Sequence, residues 1–197
     1  VDAAVATAAH DVLLHYFSSQ DKALNKDYKA SLTAIPNGKA KTAGIAVGAA
    51  AADEIIALLQ SDRLHADIGF RMPSPAPGVW ELPAGAQPML PWLSQLRPFM
   101  LNSPDQFRPG PPPALNSPQW AEQYKEVQLY GDRFSKARSA EQTKIALFWS
   151  SDAFTQFNLA YQQIVTARGL NTLQAARLMA MGNMVASDAL IACFDAK

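Results

Sequence analysis

Few side chains in this sequence are of a kind that does chemistry, and their spacing narrows them further. The histidines are His10, His15 and His65. His10 and His15 stand five apart, so on a helix they do not share a face, and no His-Glu-x-x-His pattern occurs. They read as surface or core-edge imidazoles rather than metal ligands. Cys193 is the single cysteine. It can form no intrachain disulfide, has no histidine near it in sequence, and reads as a small buried hydrophobe. No nucleophile elbow and no phosphate-cradling glycine loop is present. Asp188 and Asp195 lie two helical turns apart, about 10 Å along an axis, too far to share one metal ion unaided. With Arg177 they fall on one narrow stripe at roughly 100° per residue. They read as carboxylates that pair with Arg or Lys or accept backbone N–H groups elsewhere. Lys197 points away from that stripe and, as a helix-terminal cation, suits the negative end of the helix dipole.

The elements that position these residues are helical. Asp2 to Phe17 is Ala-rich, with Val5, Ala9, Val12, Leu13 and Tyr16 at helical spacing. Asp21 can cap a second helix to about Ala34, ended by Pro36-Asn37-Gly38. A third spans Lys39 to Gln60, small-sided at first, which lets a neighbouring helix approach closely. Ser117-Pro118 opens a helix marked by Trp120, Tyr124, Val127 and Phe134. Ser139-Ala140-Glu141-Gln142 is a capping box opening another with Ile145, Phe148 and Trp149. Phe154, Phe157, Tyr161, Ile164 and Val165 follow, and Gly169 suits the stop. Asn171 with Gln174 starts the last helix, Thr172 to Lys197. That helix is apolar nearly all round and is expected to be the most buried element.

Between the helical flanks, prolines crowd the stretch from 61 to 117 and preclude a long helix or a central strand. The same stretch holds Phe70, Trp80, Trp92, Phe99 and Phe107, too apolar for a disordered linker. It is expected to be an ordered connection against the helices, with Trp80 and Trp92 shielded and a short helix near Trp92 to Leu96. The fold class is therefore all-α: a multi-helix bundle with helices in 1–60, a Pro-rich connection in 61–117 and helices in 118–197, read as one domain or a fragment of one.

The charge balance excludes some partners. Lys+Arg and Asp+Glu stand at 17 each, so no basic field exists to attract nucleic acid or an anionic membrane. The best bilayer candidate, Ala43 to Leu59, is interrupted by Asp53 and Glu54, so no membrane contact is expected. The chain opens on Val1 directly in a helical pattern, and Lys197 sits in an apolar periodic run with no stop signal. These ends give the expectation of a fragment.

Five ordered segments carry a family resemblance: LRPFMLNSPDQFRPGPPPAL (96 to 115), EVQLYG (126 to 131), RSAEQTKIALFW (138 to 149), ARGL (167 to 170) and SDALIACFDAK (187 to 197). AKTAGIAVG (40 to 48) also fits. Together they resemble the region before the active site in vanadium haloperoxidase-related members of the type 2 phosphatidic acid phosphatase superfamily. That family's signature is a lysine, six residues and Arg-Pro, then Pro-Ser-Gly-His, then Ser-Arg followed by a histidine. In relatives the lysine follows an Asp-Ala pair, and Lys197 occupies that place; the other parts are absent here.

The resemblance implies that Lys197 is an oxyanion and vanadate ligand of an intact enzyme. That enzyme would hydrolyse phosphate monoesters or, with vanadate, oxidise halide using hydrogen peroxide. It implies no cofactor in this chain, a carboxy-terminal catalytic part as a partner, and compatibility with homo-oligomers and an extracytoplasmic location. The alternative is a non-catalytic helical interaction domain, with RPGPPPAL (108 to 115) as a polyproline ligand.

Overall fold

Ser139 and Gln142 satisfy each other's orphan groups as a capping box, the side chain of each accepting from the other's backbone. The same local logic starts most of the helices. Ser117 accepts from the Trp120 N–H with Pro118 at the first helical position. Asp152 accepts from the Thr155 N–H, and that hydrogen bond holds its carboxyl below the usual range. Asn171 and Gln174 cap reciprocally. Gly169, at φ 57°, closes a helix by the paired bonds Leu170 N–H to Val165 O and Gly169 N–H to Thr166 O. A computed structural model describes the backbone of residues 1–197 and every side chain except that of Ala153. Its helices are α1 (Asp2–Tyr16), α2 (Asp21–Thr33), α3 (Lys39–Leu59), α4 (Pro118–Tyr130), α5 (Ala140–Trp149), α6 (Ala153–Arg168) and α7 (Thr172–Ala196). A 3-10 turn, Pro91–Gln95, lies in the connection. The described residues contain no strand. The fold is all-α.

The chain divides into two units, 1–63 with 158–187, and 64–157 with 188–197. In the first, Ala3 and Thr7 of α1 face Gly44, Gly48 and Ala52 of α3. Both sets are spaced by four, the ridge that meshes in the commonest helix crossing. Small residues let the backbones close up, as their spacing in the sequence suggests. The Thr7 hydroxyl donates to Ala3 O at 2.8 Å and shares a 2.8 Å hydrogen bond with the Tyr28 hydroxyl of α2. His10 stacks on Tyr28 with its ring nitrogens on Asp11 and Asn25. Lys41 donates to Leu32 O, Ile35 O and Asn37 Oδ1, holding the carbonyl end of α2. Farther along, Asn158 of α6 and Asn183 of α7 exchange side-chain hydrogen bonds, and the Tyr161 ring lies against Gly182.

Three expectations of burial fail. On α7, Asp188 and Ile191 are buried, but Met181 is 56% exposed and Leu173 and Val185 are likewise open. Cys193 is exposed, not buried. Trp80 is 63% exposed, whereas Trp92 is half-buried with its ring edge against His65. The common reason is that periodicity reports how apolar a surface is, not whether chain is available to cover it. By length and composition α3 and α7 could also cross a membrane: 21 and 25 residues, with mean hydropathy 1.6 and 1.3 over an 18-residue window. Asp53 and Glu54 interrupt α3 without taking it out of that range.

Candidate functional site

The second unit gathers the groups that the sequence singled out near its end. Asp188 projects from α7 into the stretch that follows the 3-10 turn. Its Oδ1 accepts the Phe99 N–H at 2.7 Å, and its Oδ2 accepts those of Met100 and Leu101 at 2.7 and 3.1 Å. The side chain is buried. Three consecutive N–H donors on one carboxylate form a concave anion cradle, here filled from within. Two turns on, Arg108 grips Asp195 with both arms of its fork: Nε to Oδ2 at 2.7 Å and Nη2 to Oδ1 at 2.6 Å. The two carboxylates of the polar stripe therefore take the roles that the sequence allowed, one accepting backbone N–H groups and one paired to an arginine. Residues 99 to 108 are bound to the end of α7 as a strap. Arg177, the third member of the stripe, is exposed.

Arg108 is the site residue that sequence reasoning missed. Its partner is 87 positions away, and no local pattern announces such a pair. The hydrogen bond from Arg108 is the largest cause that holds the Asp195 carboxyl below its usual range, and the same contact raises the guanidinium. A lowered carboxylate contributes stability that is present above its unfolded value near about 4 and is lost as pH falls through the lower folded value. Amide exchange around residues 105 to 108, corrected for intrinsic rate, should therefore be flat from pH 7 to 5. It should rise only below the ordinary carboxylate range. Asp195→Asn should show the fast rate already at pH 7. A profile identical in the variant would show that the pair does not hold the strap.

Lys197 follows α7 directly and is exposed. Its Nζ lies 4.4 Å from the centroid of the Phe194 ring, a cation–π contact within its own turn. The histidines have other partners: His10 as above, His15 edge-on to Tyr16, and His65 against Trp92. His65 also borders an open cleft of about 290 Å³ with Asp67, Phe70, Gln87 and Pro91. Its polar groups are partly committed, since Asp67 accepts the Gly69 N–H at 2.8 Å. Neither lysine nor arginine lines that cleft. Among the described residues no cluster of His, Cys, Asp or Glu could hold a metal ion.

Vanadate and a phosphoryl group in transfer are multiply charged oxyanions that need several converging donors. Lys197 offers one ammonium, and Arg108 is spent on Asp195. The residues present do not make a complete vanadate site. No family model, curated protein or solved structure matches this chain.

Proposed function

We propose that this chain is the helical scaffold of an enzyme related to vanadium-dependent haloperoxidases and acid phosphatases, inactive alone. The observation that carries this reading is the strap. Residues 96 to 115 and 187 to 197 are the longest segment of the resemblance and the one that ends on Lys197. Asp188 and the Arg108–Asp195 pair join them. Two stretches so far apart in sequence, tied beside one candidate anion ligand, are what a wall of an anion pocket requires. In this reading Lys197 supplies one positive charge, Asp188 and Asp195 fix the backbone around it, and the remaining donors come from a catalytic part. Phosphate monoester hydrolysis and vanadate-dependent halide oxidation both follow from one such site.

The reading includes no membrane span. Asp53 and Glu54 burden α3, and a charge at a bilayer centre costs about 2.5–3.5 kcal/mol on insertion scales. Asp188 binds non-helical backbone to α7, and lipid does not tolerate exposed irregular backbone.

Two tests bear on the proposal. Vanadate titrated calorimetrically into the chain should give no saturable binding, and p-nitrophenyl phosphate should not turn over. Loss of one oxyanion donor costs about 10²–10³ in rate, and here nearly all are missing. Tight binding or turnover abolished by a change elsewhere than Lys197 would mean a different active site. The reading frame beyond the Lys197 codon should encode Arg-Pro at the seventh and eighth positions and then Pro-Ser-Gly-His. A stop codon there would favour the second reading, a non-catalytic helical interaction domain. The exposed stretch Arg108 to Pro112, which lies outside any helix, is the observation on its side.

A further inference from the structure

Every wall of the cleft beside His65 comes from one run of the second unit, 65–91. Two backbone positions shape it. His65 and Leu90 stand at φ 61° and 53°, and no other non-glycine residue among the described ones has a positive φ. Side chains disfavour that region, and strain of this kind clusters at ligand clamps. His65 lines the cleft itself, and Leu90 lies between Pro88 and Pro91, which line the other wall. The Asp67 Oδ1 accepts the Gly69 N–H at 2.8 Å, an Asx-type turn with Gly69 at φ 65°. That bond fixes one oxygen of the carboxylate. Among the described residues the other oxygen makes no hydrogen bond within the chain, nor do the Gln87 amide and the His65 ring nitrogens. Phe70 and the two prolines supply apolar surface beside these three polar groups. A few polar groups converging on apolar walls is the composition of a small-molecule site, and about 290 Å³ lies near the low end of such sites.

We propose that this cleft binds a small organic cation, its ammonium group on Asp67 and its apolar body against Phe70 and the prolines. Three observations select that class. Asp67 is the one carboxylate in the lining, and neither lysine nor arginine stands there to neutralise it. An ammonium group brings several N–H donors, and the Asp67 Oδ2 and the Gln87 carbonyl are acceptors for them. The aromatic ring of Phe70 offers a negative face to the same charge. A divalent metal ion is a poorer match. His65 and Asp67 are the only lining residues of ligating type, and among the described residues no group of three such side chains occurs. An anionic ligand would meet the carboxylate directly, and a neutral one would leave its charge uncompensated. The inference does not depend on the anion-site reading.

A series of probes that share one body and differ in charge tests it: phenethylamine, 2-phenylethanol and 3-phenylpropionate. Each is titrated into the full chain labelled with nitrogen-15, and the backbone amides of His65, Gly69, Phe70 and Gln87 are followed by NMR. Phenethylamine should shift these amides saturably, with a Kd of about 1 mM or lower. The alcohol should bind about tenfold more weakly, and the carboxylate should leave the four amides unmoved. Raising the salt from about 0.05 to 0.5 M should weaken the amine alone, because screening acts on the charge and not on the ring. Asp67→Asn should weaken the amine about tenfold while the Gly69 amide keeps its hydrogen bond, since an asparagine Oδ1 can accept it as well. Should that substitution disturb the turn, the charge series in the unaltered chain decides. The proposal is overturned if the alcohol binds as tightly as the amine, if the carboxylate binds more tightly, or if Asp67→Asn keeps full affinity with its turn intact. Shifts that stay linear to about 20 mM amine overturn it too, and would mark the cleft as a feature of the surface only.

Discussion

Replacing Asp188 by alanine should release residues 99 to 108 from α7 at a cost of about 2–4 kcal/mol, the largest effect expected of any polar substitution here. The argument is a count of bonds. One carboxylate, 5% exposed, accepts three backbone N–H groups, each bond assisted by its charge. Removing it leaves three N–H donors that must find water or stay unpaired, and unpaired buried donors are expensive. Asp188→Asn has nearly the same shape but fares little better. An amide offers one oxygen and one donor NH₂, so at least one backbone N–H would face a donor. Hydrogen exchange at Phe99, Met100 and Leu101 is the direct measurement. Protection in the alanine variant equal to that in the unaltered chain would mean that the strap is held by packing alone. Asp188→Glu is the informative companion: it keeps the charge but adds a methylene, and should restore part of the protection.

The second large effect concerns α1 and α3. Gly48→Ala should destabilise the first unit by about 1–3 kcal/mol, whereas Gly44→Ala should be close to neutral. Alanine gains about 1 kcal/mol over glycine in a helix interior at either position, so the surroundings decide the sign. A Cβ on Gly48 would collide with the Ala4 carbonyl oxygen, which is backbone of α1, and would stand 2.8 Å from the Thr7 Cβ. Neither can step aside without moving the whole helix. A Cβ on Gly44 would meet the Ala3 Cβ at 3.1 Å, with the Ala4 N and the Ala3 carbonyl carbon at 3.4 and 3.8 Å, an encroachment that a shift of a few tenths of an ångström relieves. Urea unfolding of both variants, read by circular dichroism, makes the comparison. Equal destabilisation of the two would mean that α1 does not cross α3 at Gly48. Gly48→Leu should separate the helices altogether and lose the Thr7–Tyr28 hydrogen bond with them.

What the sequence by itself determined is the set of structures that close within a few residues. The capping box at Ser139, the serine and proline at 117 and 118, the reciprocal cap of Asn171 with Gln174 and the glycine stop at 169 were each legible. Their hydrogen bonds span three to five positions, and the residue types that make them are few. The all-helical class follows from the same short-range periods. The placement of Asp188 and Asp195 on one stripe was legible too, since helix geometry alone sets it. Only the tertiary structure decided what those carboxylates bind. The partners of Asp188 are 87 to 89 residues away, and three of the groups involved are backbone N–H groups that every non-proline residue carries. Nothing in their side chains marks them. Arg108 was hidden for the same reason. Burial was the least legible property. Trp80, Met181 and Cys193 all suggested a covered interior, yet all three are open. An apolar side chain lowers its free energy by leaving water, but that preference is equally met by its own chain or by another. Which of them covers it depends on where the rest of the polypeptide runs, and on that a periodic pattern is silent.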